Sequence, residues 1–245
     1  MNDFNFYEVG GKIRDEFLGL PNKDVDYVAV PSEELLLKFT QASDMFNVLD
    51  EYLISKNFEI FLRTPDCYTI RAKFPKDHEY SGVADFVMAR KEVGYIPNTR
   101  TPIVVPGTLY DDLSRRDATV NALAKDHDGN IIDFFNGLDD LKKGLIKTPL
   151  DCKITIEDDP LRILRYLRFS ITKGFIIDEE LEFEMLNYDY ELKMCVVSNQ
   201  RIRDELFKCF KHDTLKTIKL LSKFEKLRDY VFTHTDLWLK PTNEE

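Results

Sequence analysis

The sequence predicts an α+β protein, with a mixed sheet and helices over residues 1–150 and a helical part over residues 151–245. Short runs of β-branched and aromatic residues, separated by turn residues, recur up to about residue 150 and are typical of strands. Beyond about residue 155 these patterns cease, and apolar residues recur at helical spacing. The 245 residues are 43% hydrophobic and include 18 Phe and 11 Tyr. This composition supplies a substantial core and excludes an intrinsically disordered chain.

Strands and helices alternate in the first part of the chain. Gly10 and Gly11 open a predicted helix that runs to about residue 20, and a turn at residues 21–23 follows it. Ser32 caps a longer predicted helix that ends near Lys56. Strand patterns occupy residues 4–9, 25–30, 58–74 (as a hairpin turning at residues 64–66) and 82–91.

The segment up to residue 150 is less regular in its second half. Residues 92–113 contain three Pro and two Gly, which predicts an irregular loop. Residues 112–124 (DLSRRDATVNALA) predict a helix. Asp128 and Gly129 predict a turn that leads into a strand at residues 131–135.

The net charge, the lack of long apolar runs, and the positions of Cys and His argue against several classes of protein. The 34 Lys and Arg against 44 Asp and Glu give a net charge of −10, a weak argument against a nucleic-acid partner, because binding depends on local charge. No apolar run approaches 18 residues and the N-terminal residues do not resemble a signal peptide, which predicts a cytoplasmic protein without membrane contact. The four Cys form no CxxC and the four His show no metal-binding spacing, which predicts free thiols and no zinc site.

The first candidate site combines two glycines, an arginine and two aspartates. Residues two apart in a strand point to the same side, so Asp24 and Asp26 would present both carboxylates on one face, about 6–7 Å apart at Cα. Such a pair can hold two Mg²⁺ ions for in-line phosphoryl transfer. Gly10 and Gly11 would let backbone N–H groups approach a phosphate, and Arg14 would complete a triphosphate clamp. The alternative, a solvated strand end after a tight turn, is disfavoured by the joint arrangement of all five residues.

Two further groups could belong to the same site. Asp85 lies in a predicted strand, where it could add a third carboxylate or be an ordinary polar residue. Arg116 and Asp117 could contact a nucleotide, with Asn121 one helical turn beyond Asp117 and within reach of a nucleotide sugar. The alternative for this second group is the charged start of a surface helix.

A third group is a helix rich in arginine. Pro160 fits the first position of this helix and makes Asp159 the predicted N-cap. At 100° per residue, Arg162, Arg165 and Arg168 share one sector of the helix. No acidic residue lies between Pro160 and residue 177, so a salt-bridged surface helix is disfavoured and an anion is the expected partner of the arginines.

In this order the three groups resemble the class II tRNA nucleotidyltransferase/poly(A) polymerase family, the CCA-adding enzymes. The resemblance covers roughly residues 7–30, 83–92 and 111–178, and NQRIRDELFKCF at 199–210 is similar to a later helical motif of the family. The matching segments are VGGKIRDEFLGLPNKDVDYVAV, DLSRRDATVNALAKDHDGNIIDFFNGLDDLKKGLIKT and IEDDPLRILRYLRF followed by KGFIID.

The resemblance implies a head of the DNA polymerase β type followed by a helical neck and body. It also implies two Mg²⁺ ions, CTP and ATP as substrates, and tRNA, through its acceptor stem and 3′ end, as partner. In the first part of the chain, the resemblance implies that Gly11 and Arg14, beside Gly10, bind the triphosphate and that Asp24 and Asp26 bind Mg²⁺. It implies that Arg116 and Asp117 contact the nucleotide and its ribose. In the helical part, it implies that Asp159 and Arg162 read the base and that Arg165 and Arg168 make phosphate and neck contacts.

The base-reading pair has a direct chemical reason. Cytosine and adenine each carry an exocyclic amine donor beside a ring-nitrogen acceptor, whereas guanine and uracil show the inverse pattern. A carboxylate only accepts hydrogen bonds and a guanidinium only donates them. Asp159 and Arg162, one helical turn apart, therefore suit CTP and ATP and disfavour GTP and UTP.

The chain departs from the family pattern in two respects. The family's Glu-Asp-x-x-Arg begins here with Asp158, which leaves the role of that first acid open. The chain also stops at Glu245, where family members usually continue into body and tail domains, so either a minimal enzyme or the fragment of a longer one is expected. Residues 201–228 carry nine Lys and Arg against four Asp and Glu and could replace part of the missing grip on RNA.

The main interpretation is therefore an enzyme that completes or repairs the 3′ end of tRNA with CTP and ATP. A poly(A) polymerase of the same family is the first alternative, because the two activities share these motifs. A non-catalytic RNA-binding relative is disfavoured by the presence of both Asp24 and Asp26. An enzyme that modifies proteins or blocks tRNA ends is a further alternative. The sequence does not give the oligomeric state.

Overall fold

The computed structural model describes residues 3–22, 24–78, 80, 82–96, 99 and 101–234. The chain forms two compact units, one of Met1–Tyr95 and Pro102–Leu141, the other of Ile96–Thr101 and Lys142–Glu245. The division into domains at residue 150 stays a prediction. Lys23 of the predicted turn, and Pro97, Asn98 and Arg100 of the predicted loop, lie outside the described residues.

The first unit combines strands and short helices. Its strands are β1 (Phe4–Val9), β2 (Asp26–Pro31), β3 (Glu59–Thr64), β4 (Thr69–Lys73), β5 (Val83–Met88), β6 (Arg90–Tyr95), β7 (Pro102–Pro106), β8 (Leu123–Lys125) and β9 (Ile131–Asp133). Its helices are α1 (Gly11–Phe17), α2 (Glu33–Lys38), α3 (Ala42–Ser55), α4 (Leu109–Ser114) and α5 (Gly137–Lys143), the last of which contains the boundary at Leu141.

Seven of these strands form one mixed sheet in the order β3-β4-β5-β2-β1-β8-β9. Strand β2 is antiparallel to β1 and parallel to β5, with Asp26 paired to Asp85. Strand β4 is antiparallel to β5, with Arg71 paired to Asp85. Because paired residues on neighbouring strands share a face, Asp26, Asp85 and Arg71 form one row across the sheet. The predicted α+β class with a mixed sheet is confirmed.

The two faces of the sheet carry separate apolar clusters. Val25 is buried and Tyr27 is partly buried against the larger cluster, as predicted for the residues that alternate with the two aspartates. Helix α3 covers this face with Met45, Leu49 and Leu53, all fully buried. On the other face, two residues after Asp26, Val28 packs in a second cluster with Leu109 and Leu113 of α4. The row of Asp26, Asp85 and Arg71 therefore lies on the face of the sheet that α3 does not cover.

The second unit is mostly helical. Its helices are α6 (Cys152–Asp158), α7 (Leu161–Thr172), α8 (Glu179–Asn187), α9 (Tyr190–Lys193), α10 (Asn199–His212), α11 (Thr214–Lys223) and α12 (Glu225–His234). Two short parallel strands, β10 (Leu145–Ile146) and β11 (Ile176–Ile177), pair with each other. Leu164, Leu167 and Ile171 of α7 are buried, as predicted for the sector beside the arginines.

The helix predicted from Ser32 to Lys56 is interrupted. Ser32 caps its first part as predicted, since its Oγ accepts a hydrogen bond of 3.3 Å from the backbone N–H of Leu35. Phe39 then adopts an extended conformation (φ −126°, ψ 119°) and ends α2. Helix α3 begins afresh at Ala42.

The prediction of a helix over residues 112–124 is wrong. Helix α4 ends at Ser114, and the Asp117 Oδ1 accepts a hydrogen bond of 2.9 Å from the N–H of Ala118, a local contact that competes with helix formation. Strand β8 then pairs with β1 and β9. The segment predicted as an irregular loop, 92–113, instead carries most of the β6–β7 hairpin and the start of α4.

Two further expectations concern the whole chain. No helix within the described ranges is long and apolar enough to cross a bilayer. The prediction of free thiols is confirmed at Cys67, Cys152, Cys195 and Cys209.

Candidate active site

The predicted carboxylates meet in a cleft of 520 Å³ in the first unit. Asp24 is exposed and lies just before β2, not within the strand as predicted. Asp26 begins β2 and is half-buried, and Asp85 lies beside it on β5. The remaining lining residues are Val25, Arg71, Tyr80, Val83 and Ala84. The structure therefore brings the three aspartates together along one cleft, hereafter the carboxylate cleft.

Arg71 is a member of this cleft that sequence reasoning missed. Its Nε donates a hydrogen bond to Asp85 Oδ1 at 2.7 Å, and its Nη2 donates to Asp85 Oδ2 at 2.6 Å. Arg71 lies within an ordinary strand pattern, and only the β4–β5 register reveals its partner. Among the described residues, no group of three or more acidic, His or Cys side chains lies close enough together to hold a metal ion as the side chains stand.

The Asp26 carboxyl has an unusual electrostatic environment. Burial, followed by repulsion from Asp85 and Asp24, raises its pKa above the ordinary value for aspartate. The Arg116 and Arg71 guanidinium groups oppose this shift without cancelling it. A cation placed in the cleft would relieve the repulsion among the carboxylates.

Gly10 lets the backbone lie close to the side chains of Arg116 and Asp26. Its φ of 80° and ψ of −142° belong to a region that only glycine adopts without strain. A Cβ at Gly10 would lie 3.2 Å from Arg116 Nη1 and 3.7 Å from Asp26 Oδ2. A Cβ at Gly11 would lie 3.2 Å from Arg14 Nη2. The predicted arginines and one of the carboxylates thus lie close to the space that a side chain at either glycine would fill.

Arg116 is positioned by a buried acid that the sequence did not single out as part of the site. Asp112 is fully buried and accepts hydrogen bonds from Arg116 Nη2 at 3.1 Å and from Arg115 Nε at 3.1 Å. Burial alone would raise the pKa of Asp112, but the two guanidinium groups outweigh it and hold the pKa below the ordinary value. The Arg116 Nε is buried without a hydrogen-bond partner, so this guanidinium retains a donor for an anion.

Arg14, Asn121 and Asp117 form a buried chain of hydrogen bonds. Arg14 Nη1 donates to Asn121 Oδ1 at 2.5 Å, and Asn121 Nδ2 donates to Asp117 Oδ1 at 2.8 Å. Arg14 also pairs with Asp15, at 2.9 Å from its Nε to Asp15 Oδ1. All four side chains are buried. The predicted contact between Asn121 and Asp117 exists, although the intervening backbone is not an α-helix.

The series of hydrogen bonds extends through Asn22 to the backbone of Asp24, a residue that lines the carboxylate cleft. Asn22 Nδ2 donates to Asp15 Oδ2 at 2.8 Å, and Asn22 Oδ1 accepts from the backbone N–H of Asp24 at 3.0 Å. The side chain of Asn22 therefore ties the loop that carries Asp24 to the helix that carries Arg14. Asp15 and Asn22 are two further residues that the sequence did not identify.

Replacing Asn121 with leucine should destabilise the fold. The change removes a hydrogen bond from each of two buried charged groups, Arg14 and Asp117, which costs about 2–4 kcal/mol. Urea unfolding measures the free energy of unfolding directly. The matched control is Asn47→Leu on the exposed side of α3, expected to change stability by less than about 0.5 kcal/mol. Equal small effects for both variants would contradict the structural role of Asn121.

The predicted base-reading pair lies in the second unit. Pro160, not Asp159, occupies the N-cap position of α7, so the predicted cap is displaced by one residue. Asp159 Oδ1 nevertheless accepts a hydrogen bond of 3.0 Å from the backbone N–H of Leu161. Arg162 Nη1 donates to the backbone oxygen of Thr155 on α6 at 3.0 Å. Both side chains are thereby oriented by contacts to the backbone.

The expectation that the α7 arginines lack acidic partners is wrong for Arg168. Its Nε donates a hydrogen bond of 2.5 Å to Glu205, a buried acid on α10. Burial would raise the pKa of Glu205, but Arg168 outweighs it and holds the pKa below the ordinary value. The guanidinium of Arg165 lies 5.7 Å from the ring centre of Phe169. Sequence spacing along α7 could not reveal a partner that comes from α10.

The donor set of the carboxylate cleft suits a hard divalent cation. Asp24 and Asp26 supply carboxylate oxygens, the ligands that Mg²⁺ prefers. Burial, and then repulsion from Asp85 and Asp24, raises the pKa of Asp26, and a bound cation would relieve the repulsion. Asp24 and Asp26 are the residues that could hold such a cation, with Asp85 beside Asp26 on the neighbouring strand.

Comparison with known proteins places the chain in context. A family profile described as the poly A polymerase head domain matches residues 6–147, more than half of the chain. The CCA tRNA nucleotidyltransferase, mitochondrial, of Saccharomyces cerevisiae is 32% identical over 252 residues, covering 96% of this chain and 44% of the yeast protein. The chain spans less than half the length of the curated relatives that it matches.

Two solved structures share the fold. The Thermotoga maritima CCA-adding enzyme complexed with tRNA is 26% identical, with a TM-score of 0.69, and the match covers 97% of this chain and 50% of that one. A tRNA nucleotidyltransferase complexed with a primer tRNA and an incoming ATP analog is also 26% identical, with a TM-score of 0.69, covering 94% and 60%.

Proposed function

Because the chain belongs to the poly A polymerase head domain family, we propose that it transfers CMP and AMP from CTP and ATP to the 3′ end of tRNA. The observation that carries this proposal is the carboxylate cleft, in which Asp26 lies beside both Asp85 and the site of close approach between Gly10 and Arg116. Carboxylates for metal ions next to a guanidinium for phosphate are the groups that phosphoryl transfer requires.

The relatives favour tRNA over other RNA ends. The yeast relative is named a CCA tRNA nucleotidyltransferase, and the Thermotoga protein was solved with tRNA. Another solved relative holds CTP, and another holds a primer tRNA with an ATP analog. These names support CCA addition over poly(A) synthesis, which remains the outcome that a product analysis would reveal. The cytoplasmic location inferred from sequence stays a prediction.

Asp24 and Asp26 are proposed as the Mg²⁺ ligands, with Asp85 as the third carboxylate. Bound Mg²⁺ would neutralise the phosphates and activate the attacking 3′-hydroxyl of the RNA. The protein contributes the positions of the ligands: β2 fixes Asp26, and the Asn22 bridge fixes the backbone at Asp24.

The arginines of the first unit are proposed to act on the triphosphate in different ways. Arg116 keeps a buried donor without a partner and suits direct contact with phosphate. Gly11 supplies the close backbone approach beside it. Arg14 is engaged by Asp15 and Asn121, so it orients the Gly10–Gly11 segment and adds positive charge. Asp117, held by Asn121, is proposed to contact the ribose.

The second unit is proposed to choose the base and to bind RNA. Asp159 accepts from the exocyclic amine of cytosine or adenine, and Arg162 donates to the adjacent ring nitrogen. Arg165 is proposed to contact phosphate, whereas Arg168, paired with Glu205, stabilises the packing of α7 on α10. The basic residues of α10, α11 and α12 suit the phosphates of the tRNA acceptor stem.

The test supplies each nucleoside triphosphate alone to two tRNA primers with Mg²⁺. Of the four nucleoside triphosphates, only CTP should extend a primer that lacks the whole CCA end. A primer that ends in CC should gain one A from ATP. Separation of the products at single-nucleotide resolution measures the number of residues added. Long A tails on both primers would indicate a poly(A) polymerase, and no extension of either primer would refute the proposal.

A further inference from the structure

The strand register places a guanidinium directly against one of the three cleft carboxylates. Arg71 and Asp85 are paired across β4 and β5, and Asp85 and Asp26 are paired across β5 and β2. Both oxygens of Asp85 accept hydrogen bonds from Arg71, at 2.7 and 2.6 Å. A planar guanidinium matches a carboxylate in this two-bond geometry. Both oxygens of Asp85 are therefore engaged by one arginine.

We propose that Arg71 is a positioning residue that holds Asp85 away from the metal site and thereby sets the affinity of the carboxylate cleft for a divalent cation. The inference deepens the proposed function, because it rests on Asp24, Asp26 and Asp85 being metal ligands. A cation that approaches Asp85 meets the positive charge of Arg71 and must displace it from at least one oxygen.

The exposure of the pair makes this displacement reversible. The side chain of Arg71 is 54% exposed and that of Asp85 is 24% exposed. Exposed ion pairs change an equilibrium by a factor of about five at most, because water and salt screen them. A divalent cation held by three carboxylates can overcome a contact of that size.

Arg71 also offsets part of the repulsion among the three carboxylates of the cleft. Asp24, Asp26 and Asp85 repel one another, and the hydrogen bonds and charge of Asp85, followed by the charges of Asp24 and Asp26, raise the pKa of Arg71. Arg71 thus neutralises part of the charge that a metal ion would otherwise neutralise. Removing Arg71 should leave the cleft more negative and more attractive to cations.

The test measures Mn²⁺ binding to the full chain from the loss of the electron paramagnetic resonance signal of free Mn²⁺. The variant Arg71→Gln should lower the Mn²⁺ dissociation constant about three- to fivefold relative to wild type. The matched control is Arg63→Gln, which removes the same charge from β3, where Arg63 pairs with Asp50 of α3, and which should leave the constant unchanged. An equal or weaker affinity in Arg71→Gln would overturn the inference.

A double-mutant cycle with Asp85→Asn identifies the route of the effect. If Arg71 acts mainly by holding Asp85, the gain in Mn²⁺ affinity from Arg71→Gln should be much smaller when Asp85 is already Asn, because only the charge effect on Asp24 and Asp26 remains. An undiminished gain in that background would show that Arg71 acts by charge alone, against the inference. The variant Arg71→Lys keeps the charge without the two-bond geometry and should give a smaller gain than Gln. A larger gain for Lys would also contradict it.

Failure of this inference and failure of the proposed function can be told apart. Mn²⁺ binding that depends on Asp26 but is unchanged in Arg71→Gln removes the role of Arg71 alone. The expected change in Mn²⁺ affinity, found without any extension of tRNA, removes the proposed substrate and leaves the role of Arg71 in place. Absence of Mn²⁺ binding to the wild type refutes both.

Discussion

Replacing Asp26 with asparagine should lower nucleotide transfer by at least about a thousandfold while the protein stays folded. A carboxylate that binds catalytic metal ions contributes several kcal/mol to the transition state, and each 1.36 kcal/mol is a factor of ten in rate. Asparagine has nearly the same shape but no charge. Initial rates of CMP addition to a tRNA that lacks its 3′ end measure the effect.

The same variant, Asp26→Asn, should not lose stability although it loses activity. The pKa of Asp26 is raised in the folded protein, so the protonated group favours folding below its unfolded pKa, and this contribution is lost as pH rises through the folded pKa. At neutral pH the ionised group therefore destabilises the metal-free protein. Asparagine copies the neutral form, so the melting temperature should be unchanged or higher.

The first unit offers a control for the loss of one negative charge in Asp26→Asn. Asp66 lies exposed in the turn between β3 and β4, and Asp66→Asn removes the same charge outside the carboxylate cleft. Its transfer rate should equal that of wild type. Transfer by Asp26→Asn within tenfold of wild type would show that Asp26 is not a metal ligand, whereas a large drop in melting temperature would show that it is chiefly structural.

Replacing Asp159 with asparagine should weaken the choice of base more than it weakens catalysis. The amide keeps the oxygen that accepts from the Leu161 N–H, but it adds a donor where only acceptors stood. A two-bond contact to a base edge discriminates by about 1–3 kcal/mol, or roughly 5–150-fold. CTP and ATP use should fall by about that factor, and GTP and UTP use should fall less or rise.

Two further variants separate base reading from helix structure. Asp159→Ser retains a side chain that can accept from the backbone but loses the charge, and it should also lose selectivity. Asp158→Asn removes a neighbouring charge at the end of α6 and should leave selectivity unchanged. Single-nucleotide incorporation with each of the four triphosphates measures all three variants. Undiminished rejection of GTP and UTP by both Asp159 variants would place the base reader elsewhere.

Local pattern predicted those parts of the fold that depend on neighbouring residues. The alternation around Asp24 and Asp26 correctly placed Val25 and Tyr27 in the core, because strand periodicity is a local property. Ser32 was correctly identified as a helix cap, since capping needs only the next three residues. The same reasoning gave β1, the β3–β4 hairpin and the buried sector of α7.

Contacts between distant segments could not be predicted in this way. Arg71 meets Asp85 through strand register, and Arg168 meets Glu205 through the packing of two helices. The segment 112–124 has helical composition, yet pairing of β8 with β1 and β9 overrides that preference. The roles of the candidate site residues remain predictions, although the structure brings Asp24, Asp26 and Asp85 into one cleft.

The central claim is that the carboxylate cleft serves template-independent completion of the tRNA 3′ end. The most direct measurement incubates the purified chain with all four nucleoside triphosphates, Mg²⁺ and tRNA that lacks its 3′ end, and then sequences the 3′ ends of the products. The predicted result is a uniform CCA end, with no further residues and with no addition by Asp26→Asn. Products that end in runs of A, or addition that persists in Asp26→Asn, would contradict the claim.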